Sequence, residues 1–332
     1  MTTEPARPEI IDRLYLSVLP SFAMVAGMKL DLFTPLGDGP RSAEQIARAI
    51  GVGAAKLKPL LYALVTTGLL TVDGDIFSNS PEADHFLVRG KPSYMGGRHQ
   101  FFSDRWNDAL QAAESIRTGT GQAKLDFSSM SREDLERFLG GLHPATLASG
   151  RNLVSKFDFS PYRNLLDVGG GSGGLAIAIT EACPHLSATV LDLPTVTPVT
   201  QKFIDDAGAS GRIKIISEDV INGPLTGTFD VACMSSFIQV LSPDDAGRAL
   251  QTIGQVLEPN GAIYILGRDL DDSRLSPAES VGFNLVFISM YDGGQAYTEQ
   301  EHRDWLTEAG FVDFQRDLNP NGTSIISARK PG

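Results

Sequence analysis

The chain has 332 residues, 42% of them hydrophobic, and 28 basic residues against 40 acidic leave a formal net charge of −12. That length favours two domains with real cores, and the acidic excess argues against nucleic acid or an anionic membrane as partner, since both need a basic footprint. Cys183 and Cys233 stand far apart without metal-ligand spacing; they read as small buried side chains in a reducing compartment, and no metal-ligand cluster is evident.

The start, MTTEPARPEIIDRL, lacks a basic segment followed by an apolar core, so no secretory leader is expected. No apolar run reaches the roughly 18 residues that span a bilayer, and the expected setting is cytoplasmic. From Ile10 to about Arg163 the signals are mainly helical. SAEQIARAIGV opens with Ser42 and carries Gln45 three residues on, a capping box. AAKLKPLLYALVTTGLL places Leu57, Leu60, Leu61, Leu64 and Val65 on one helical face. LLTVDGDIFSNS then reads as two strands turning at Asp73-Gly74. Helix, helix and hairpin suggest a winged helix. Its second helix offers only Lys56 and Lys58 for phosphate contacts, so packing or dimerisation is favoured over DNA binding. Further helices follow in DRWNDALQAAESIRTG and SREDLERFLGGLHPATLASGRNLVSKF.

After Pro161 the pattern alternates. Strands are expected at NLLDVG, SATVLDL, IKIISEDV, FDVACMSSF and AIYILGR, with helices after the glycine loop, at VTQKFIDDAG and at PDDAGRALQTIGQVL. This is an α/β pattern, a Rossmann-like doubly wound parallel sheet whose ligand sits beyond the carboxyl ends of its strands. Gly169-x-Gly171-x-x-Gly174 formally fits a dinucleotide fingerprint, which keeps a nicotinamide or flavin enzyme open. Three acids point elsewhere. Asp167 lies two positions before the glycines, Asp192 ends the next strand and Asp219 the third. They suit a ligand with an ammonium group, a ribose and an adenine but no phosphate, and S-adenosylmethionine (SAM) is such a ligand.

On LLDVGGGSGGLA, VLDLP, EDV, VLEPNGAIYIL and YTEQEHRDWLTEAGF, the chain resembles class I SAM-dependent methyltransferases, specifically the small-molecule O-methyltransferase family. The resemblance covers nearly the whole chain. It implies an N-terminal winged-helix dimerisation domain at 1–105, a helical linker at 106–160 contributing to the substrate pocket, and a Rossmann-like SAM-binding domain at 161–332. It also implies a homodimer acting on a small molecule. Cofactor contacts are implied at Asp167, Gly169, Gly170, Gly171, Asp192, Leu193, Asp219, Val220 and the Ser235–Phe237 segment, which includes Ser236.

Methylating a phenol, whose pKa is about 10, requires its proton to leave as it attacks. Plant-type members of the family use a histidine held by two acids. Here the matching positions fall on Gln239, Gly267 and Ala296, none of which ionises. A thioether has no proton to lose, so the leading expectation is S-methylation of a small carboxylate-bearing thioether. That also resembles the methylthiohydroxybutyrate S-methyltransferases of dimethylsulfoniopropionate synthesis. The alternatives are O-methylation of a phenolic or other natural product with a different base, or carbon or nitrogen methylation. The substrate-side candidates are Phe102, Trp106, Phe283, Phe287 and Tyr291, whose faces could stabilise a sulfonium. Phe101 belongs with these aromatics, and Arg98 and His99 are weaker candidates. Arg268 could clamp a carboxylate or instead pair with Asp269 or Asp271, and His143 could serve as a substitute base.

Overall fold

The computed structural model describes residues 6–332; residues 1–5, where the sequence reading of the chain's start begins, lie outside the described residues. Two compact units divide between Asp104 and Arg105.

In the first unit, the Ser42 hydroxyl accepts from the Gln45 N–H while the Gln45 side chain accepts from the Ser42 N–H, the expected reciprocal cap on helix Ala43–Ile50. Helix Ala54–Thr66 buries Leu57, Leu61 and Leu64, with Leu60 and Val65 only partly covered. Strands β1 (Arg41–Ser42), β2 (Leu70–Asp73) and β3 (Ile76–Asn79) form a sheet in the order β1-β3-β2. The hairpin turn is Gly74-Asp75, one position later than expected, because Asp73 pairs with Ile76. Helices and wing together make the winged helix. Ahead of them, helices Glu9–Leu16 and Leu19–Lys29 form a 21-residue stretch long and apolar enough to cross a membrane by length and composition. The expectation concerned uninterrupted apolar runs; Glu9, Asp12, Arg13 and Lys29 punctuate this stretch, which is apolar on average. Ile11, Leu14 and Tyr15 are exposed on it.

In the second unit, β4 (Asn164–Val168), β5 (Ser187–Asp192), β6 (Ile213–Ser217), β7 (Phe229–Ser235) and β8 (Leu257–Gly267) are parallel. β9 (Val312–Leu318) and β10 (Ser324–Arg329) complete the order β6-β5-β4-β7-β8-β10-β9, with β10 antiparallel to both neighbours. The chain winds outward in both directions from β4 and β7, which sets the ligand crevice at their carboxyl ends. Alternate residues feed two cores: Leu165, Val231 and Tyr264 on one face, Leu166, Met234 and Ile265 on the other. Helix Gly174–Ala182 leaves the glycine loop and is buried from Gly174 to Thr180, which explains its unbroken apolar sequence. The long helix Arg132–Lys156 crosses it at Gly150, where a Cβ would lie 2.8 Å from the Ala178 Cβ and 2.9 Å from the Leu175 carbonyl oxygen. Only a residue without a side chain allows this approach, and it brings His143 of the long helix to the loop.

Candidate active site

The loop between β4 and helix Gly174–Ala182 turns through positive φ at Gly169, Gly171 and Gly173, conformations that favour glycine. Asp192, at the end of β5, holds this loop in place. One carboxylate oxygen accepts from Gly171 N at 2.8 Å and the other from Leu193 N at 2.8 Å. Each oxygen keeps a lone pair, the arrangement that can accept two vicinal hydroxyls of a ribose. Burial nevertheless pushes this carboxyl up to about 6 against the pull of the two N–H groups. Asp167 lies fully buried beneath the loop; one oxygen accepts from Ala176 N at 3.2 Å and Oδ1 has no hydrogen-bond partner among the described residues. Desolvation pushes it up to about 7.

Two half-buried or buried carboxylates therefore face a glycine loop in a segment, Asn164 to Gln201, without a single Lys or Arg. A pyrophosphate would find no cation here. A ligand carrying positive charge and a free ribose fits, as SAM does. The Phe237 ring lies so close over Gly169 that a Cβ there would be 2.2 Å from it, so this aromatic face was a contact the sequence marked only as part of a segment.

Beyond Phe237 the chain turns at Ser236, which has a φ of 56° and donates its N–H to the Leu266 carbonyl at 2.8 Å. Gln239 follows, buried, with its amide oxygen only 3.0 Å from where a Cβ of Gly267 would stand. The positions read from sequence as lost base and first lost acid are therefore neighbours in space. Ala296 is fully buried, and its N–H donates to Asn284 Oδ1 at 2.8 Å. Asn284 was not singled out by sequence; the signal was its place beside Phe283 on a helix whose Phe283, Phe287 and Tyr291 recur at helical spacing. Phe283 and Phe287 meet edge to face at 5.1 Å, and Phe287 and Tyr291 lie 6.4 Å apart. Burial pushes the Tyr291 phenol up. The Arg268 guanidinium stacks over Phe283 at 4.7 Å.

Several expected roles change. His143 Nδ1 is 2.9 Å from the Ser172 hydroxyl of the glycine loop and its ring stacks on Phe203 at 4.6 Å. Burial holds its imidazole below the ordinary value. These contacts tie it to the loop. Asp219 lies two residues past the end of β6, and its oxygens accept from Ile221 N and Asn222 Nδ2 in its own turn, beside the buried Val220. Asp167 acts through the loop and has no exposed surface with which to touch a ligand. Phe102 packs on the core of the first unit, with Arg98 over its ring at 5.2 Å. Trp106 lies half-buried on helix His99–Leu110.

Residues 108–312 match the O-methyltransferase domain family, and residues 13–89 match the O-methyltransferase dimerisation domain family. The chain is 30% identical to the tetracenomycin polyketide synthesis 8-O-methyl transferase of Streptomyces glaucescens, over 98% of this chain and 97% of that one. It is 29% identical to an N,N-dimethyltransferase of Streptomyces rimosus, across 100% of both chains. Among solved structures, human N-acetylserotonin methyltransferase in complex with SAM shares the fold at a TM-score of 0.83, with 21% identity and 100% of both chains covered. These likenesses correct the leading expectation about the acceptor: they favour transfer to oxygen and give the thioether reading no support.

The raised carboxyls make a prediction about the ligand-free protein. Asp167 in the folded chain holds its proton up to about 7, whereas an unfolded carboxyl ionises near 3.8. The folded state thus carries the extra proton between these values, and stability is lost as pH rises through that window. Asp167→Asn keeps an acceptor for Ala176 N and has nothing to ionise. Its Tm relative to wild type should rise by at least ~2 °C between pH 5 and pH 8 in thermal melts; a constant difference would mean that Asp167 is ionised throughout.

Proposed function

The chain belongs to the O-methyltransferase family and is a methyltransferase that uses SAM; on that premise we propose that it methylates a hydroxyl group on an aromatic, polyketide-type natural product. The observation that carries this reading is a pair of half-sites beyond the carboxyl ends of the parallel strands: the Asp192-anchored glycine loop after β4, and the aromatic side chains Phe283, Phe287 and Tyr291 with Arg268 after β8. When bound, SAM supplies an electrophilic methyl carbon on a sulfonium. Asp192 would hold the ribose hydroxyls, with Gly169, Gly170 and Gly171 providing close backbone approach and Leu193, Asp219 and Val220 flanking the adenine. Ser235, Ser236 and Phe237 close the loop side. The aromatic wall orients a flat acceptor and excludes water, and alignment of this kind supplies several kcal/mol of the barrier reduction.

Nitrogen is the second reading. Gln239 in the position of the plant-type base leaves the site without an obvious proton acceptor, which suits a neutral amine, and one relative is named an N,N-dimethyltransferase. We further propose that two copies pair through the N-terminal unit, whose helix Glu9–Leu16 leaves Ile11, Leu14 and Tyr15 exposed; the match to a dimerisation domain supports this.

Three outcomes test these proposals. In a SAM-consumption assay against hydroxyanthraquinones, naphthols, aromatic amines and thioether acids, hydroxyl acceptors should turn over and thioether acids should not; turnover confined to amines would replace the oxygen reading. Asp192→Ala should weaken SAM binding by about 10–100-fold in calorimetry, the worth of a lost hydrogen bond to a charged group. Leu14→Glu with Tyr15→Glu should convert a dimer to a monomer by light scattering, and an unchanged mass would remove this helix from the interface.

A further inference from the structure

Arg268 stands at the carboxyl end of β8, one residue beyond Gly267. The acids nearest it in sequence are not its partners. Asp269 and Asp271 are taken by Arg316 of β9, at 3.3 Å and 2.8 Å, and Asp269 also accepts from the Ser324 hydroxyl. Glu299 joins the same arginine at 3.5 Å. Arg268 is left with its buried Nη1 lacking any hydrogen-bond partner among the described residues and with the Phe283 face beneath it. Glu279 acts on it only through space, and burial holds the guanidinium below its ordinary value. Arginine cannot shed its charge as a buried lysine can, so a guanidinium with a buried N–H left without an acceptor is costly to keep. Its one ring contact among the described residues is Phe283, and the Gly267 backbone just before it borders the Gln239 amide.

We propose that Arg268 binds the acceptor as its oxyanion, and that the acceptor is therefore an acidic hydroxyl: an enol of a 1,3-dicarbonyl or a phenol conjugated to a carbonyl, ionised near neutral pH. This rests on the oxygen reading above. The hydroxyl releases its proton to solvent, with Arg268 stabilising the anion that remains. The anion's electron pair forms the O–C bond as the methyl C–S bond breaks, and that bond's electrons go to sulfur. Oxyanion and sulfonium become a neutral ether and a neutral thioether, and no protein base is needed.

The probe is alizarin, a hydroxyanthraquinone whose colour reports its ionisation. Bound to wild type, its ionisation midpoint should fall by about one pH unit or more relative to the free dye, equivalent to anion binding at least tenfold tighter than binding of the neutral form. Arg268→Gln should abolish the shift and Arg268→Lys should retain part of it. Because the substitution removes a half-buried charge whose Nη1 has no acceptor among the described residues, the Tm of Arg268→Gln should equal or exceed that of wild type, which a purely structural arginine would not allow. An unshifted midpoint, a dye that fails to bind wild type, or an Arg268→Gln variant indistinguishable from wild type would each overturn the proposal. In turnover, the pH giving half-maximal rate should track each acceptor's own pKa; a common midpoint for all acceptors would reveal a protein base. If no hydroxyl is methylated at all, the oxygen reading fails, while the dye titration still reports separately on anion binding.

Discussion

The carboxylate of Asp192 is the interaction on which the site depends. Its two oxygens fix Gly171 and Leu193, so the end of β5 determines where the loop from β4 can go. Thr200 reinforces that placement by donating its hydroxyl to the Gly171 carbonyl at 2.5 Å. Asp167 pins the first turn of the following helix from below, and His143 reaches Ser172 from above. The loop is thus held on three sides before any ligand arrives. A loop of three positive-φ glycines would otherwise be the most mobile segment of the sheet edge, and this preorganisation is what turns an entropically loose segment into a binding surface.

The electrostatics of the two half-sites are opposite and each is incomplete. On the donor side two carboxyls are desolvated without a cation, and their raised pKa values record the energetic cost. On the acceptor side a guanidinium is partly desolvated, with its Nη1 unpaired among the described residues and Glu279 acting on it only at a distance. Each half lacks the charge that its proposed ligand would bring: a sulfonium and ammonium to one, an oxyanion to the other. Charges aimed at where the ligand's charge will lie, in a region of low dielectric, act most strongly during transfer because little reorganisation is needed.

Much of the donor half was legible in sequence because it is local. The glycine spacing, the strand preceding it and the acid ending the next strand all lie within some thirty residues, and the Ser42–Gln45 capping box lies within four. What sequence missed depends on contacts between distant segments. β10 owes its place to antiparallel pairing with β8, and β9 in turn to pairing with β10. The role of His143 follows from the close crossing at Gly150 and not from the histidine itself. Asp219 reads in sequence as ending a strand, but β6 stops at Ser217 and the carboxylate stands in the turn beyond it, accepting from Ile221 N and Asn222 Nδ2. For Arg268, adjacency to Asp269 and Asp271 suggested an ion pair; Arg316, 45 residues beyond Asp271, forms it instead.

That last displacement gives the three neutral positions a common explanation. Gly267 precedes Arg268 directly, and a side chain at 267 would begin 3.0 Å from the Gln239 amide. An acid there, as plant-type members have, would begin beside residue 239 and support a histidine in that place. Glycine and glutamine together remove base and support, while buried Ala296 introduces no carboxylate among Leu270, Phe287 and Tyr291. On the proposal above, the lost base and the half-buried Arg268, whose Nη1 has no hydrogen-bond partner among the described residues, belong to one arrangement. A site that cannot take a proton from its acceptor gains most from a fixed charge that favours the acceptor already without one.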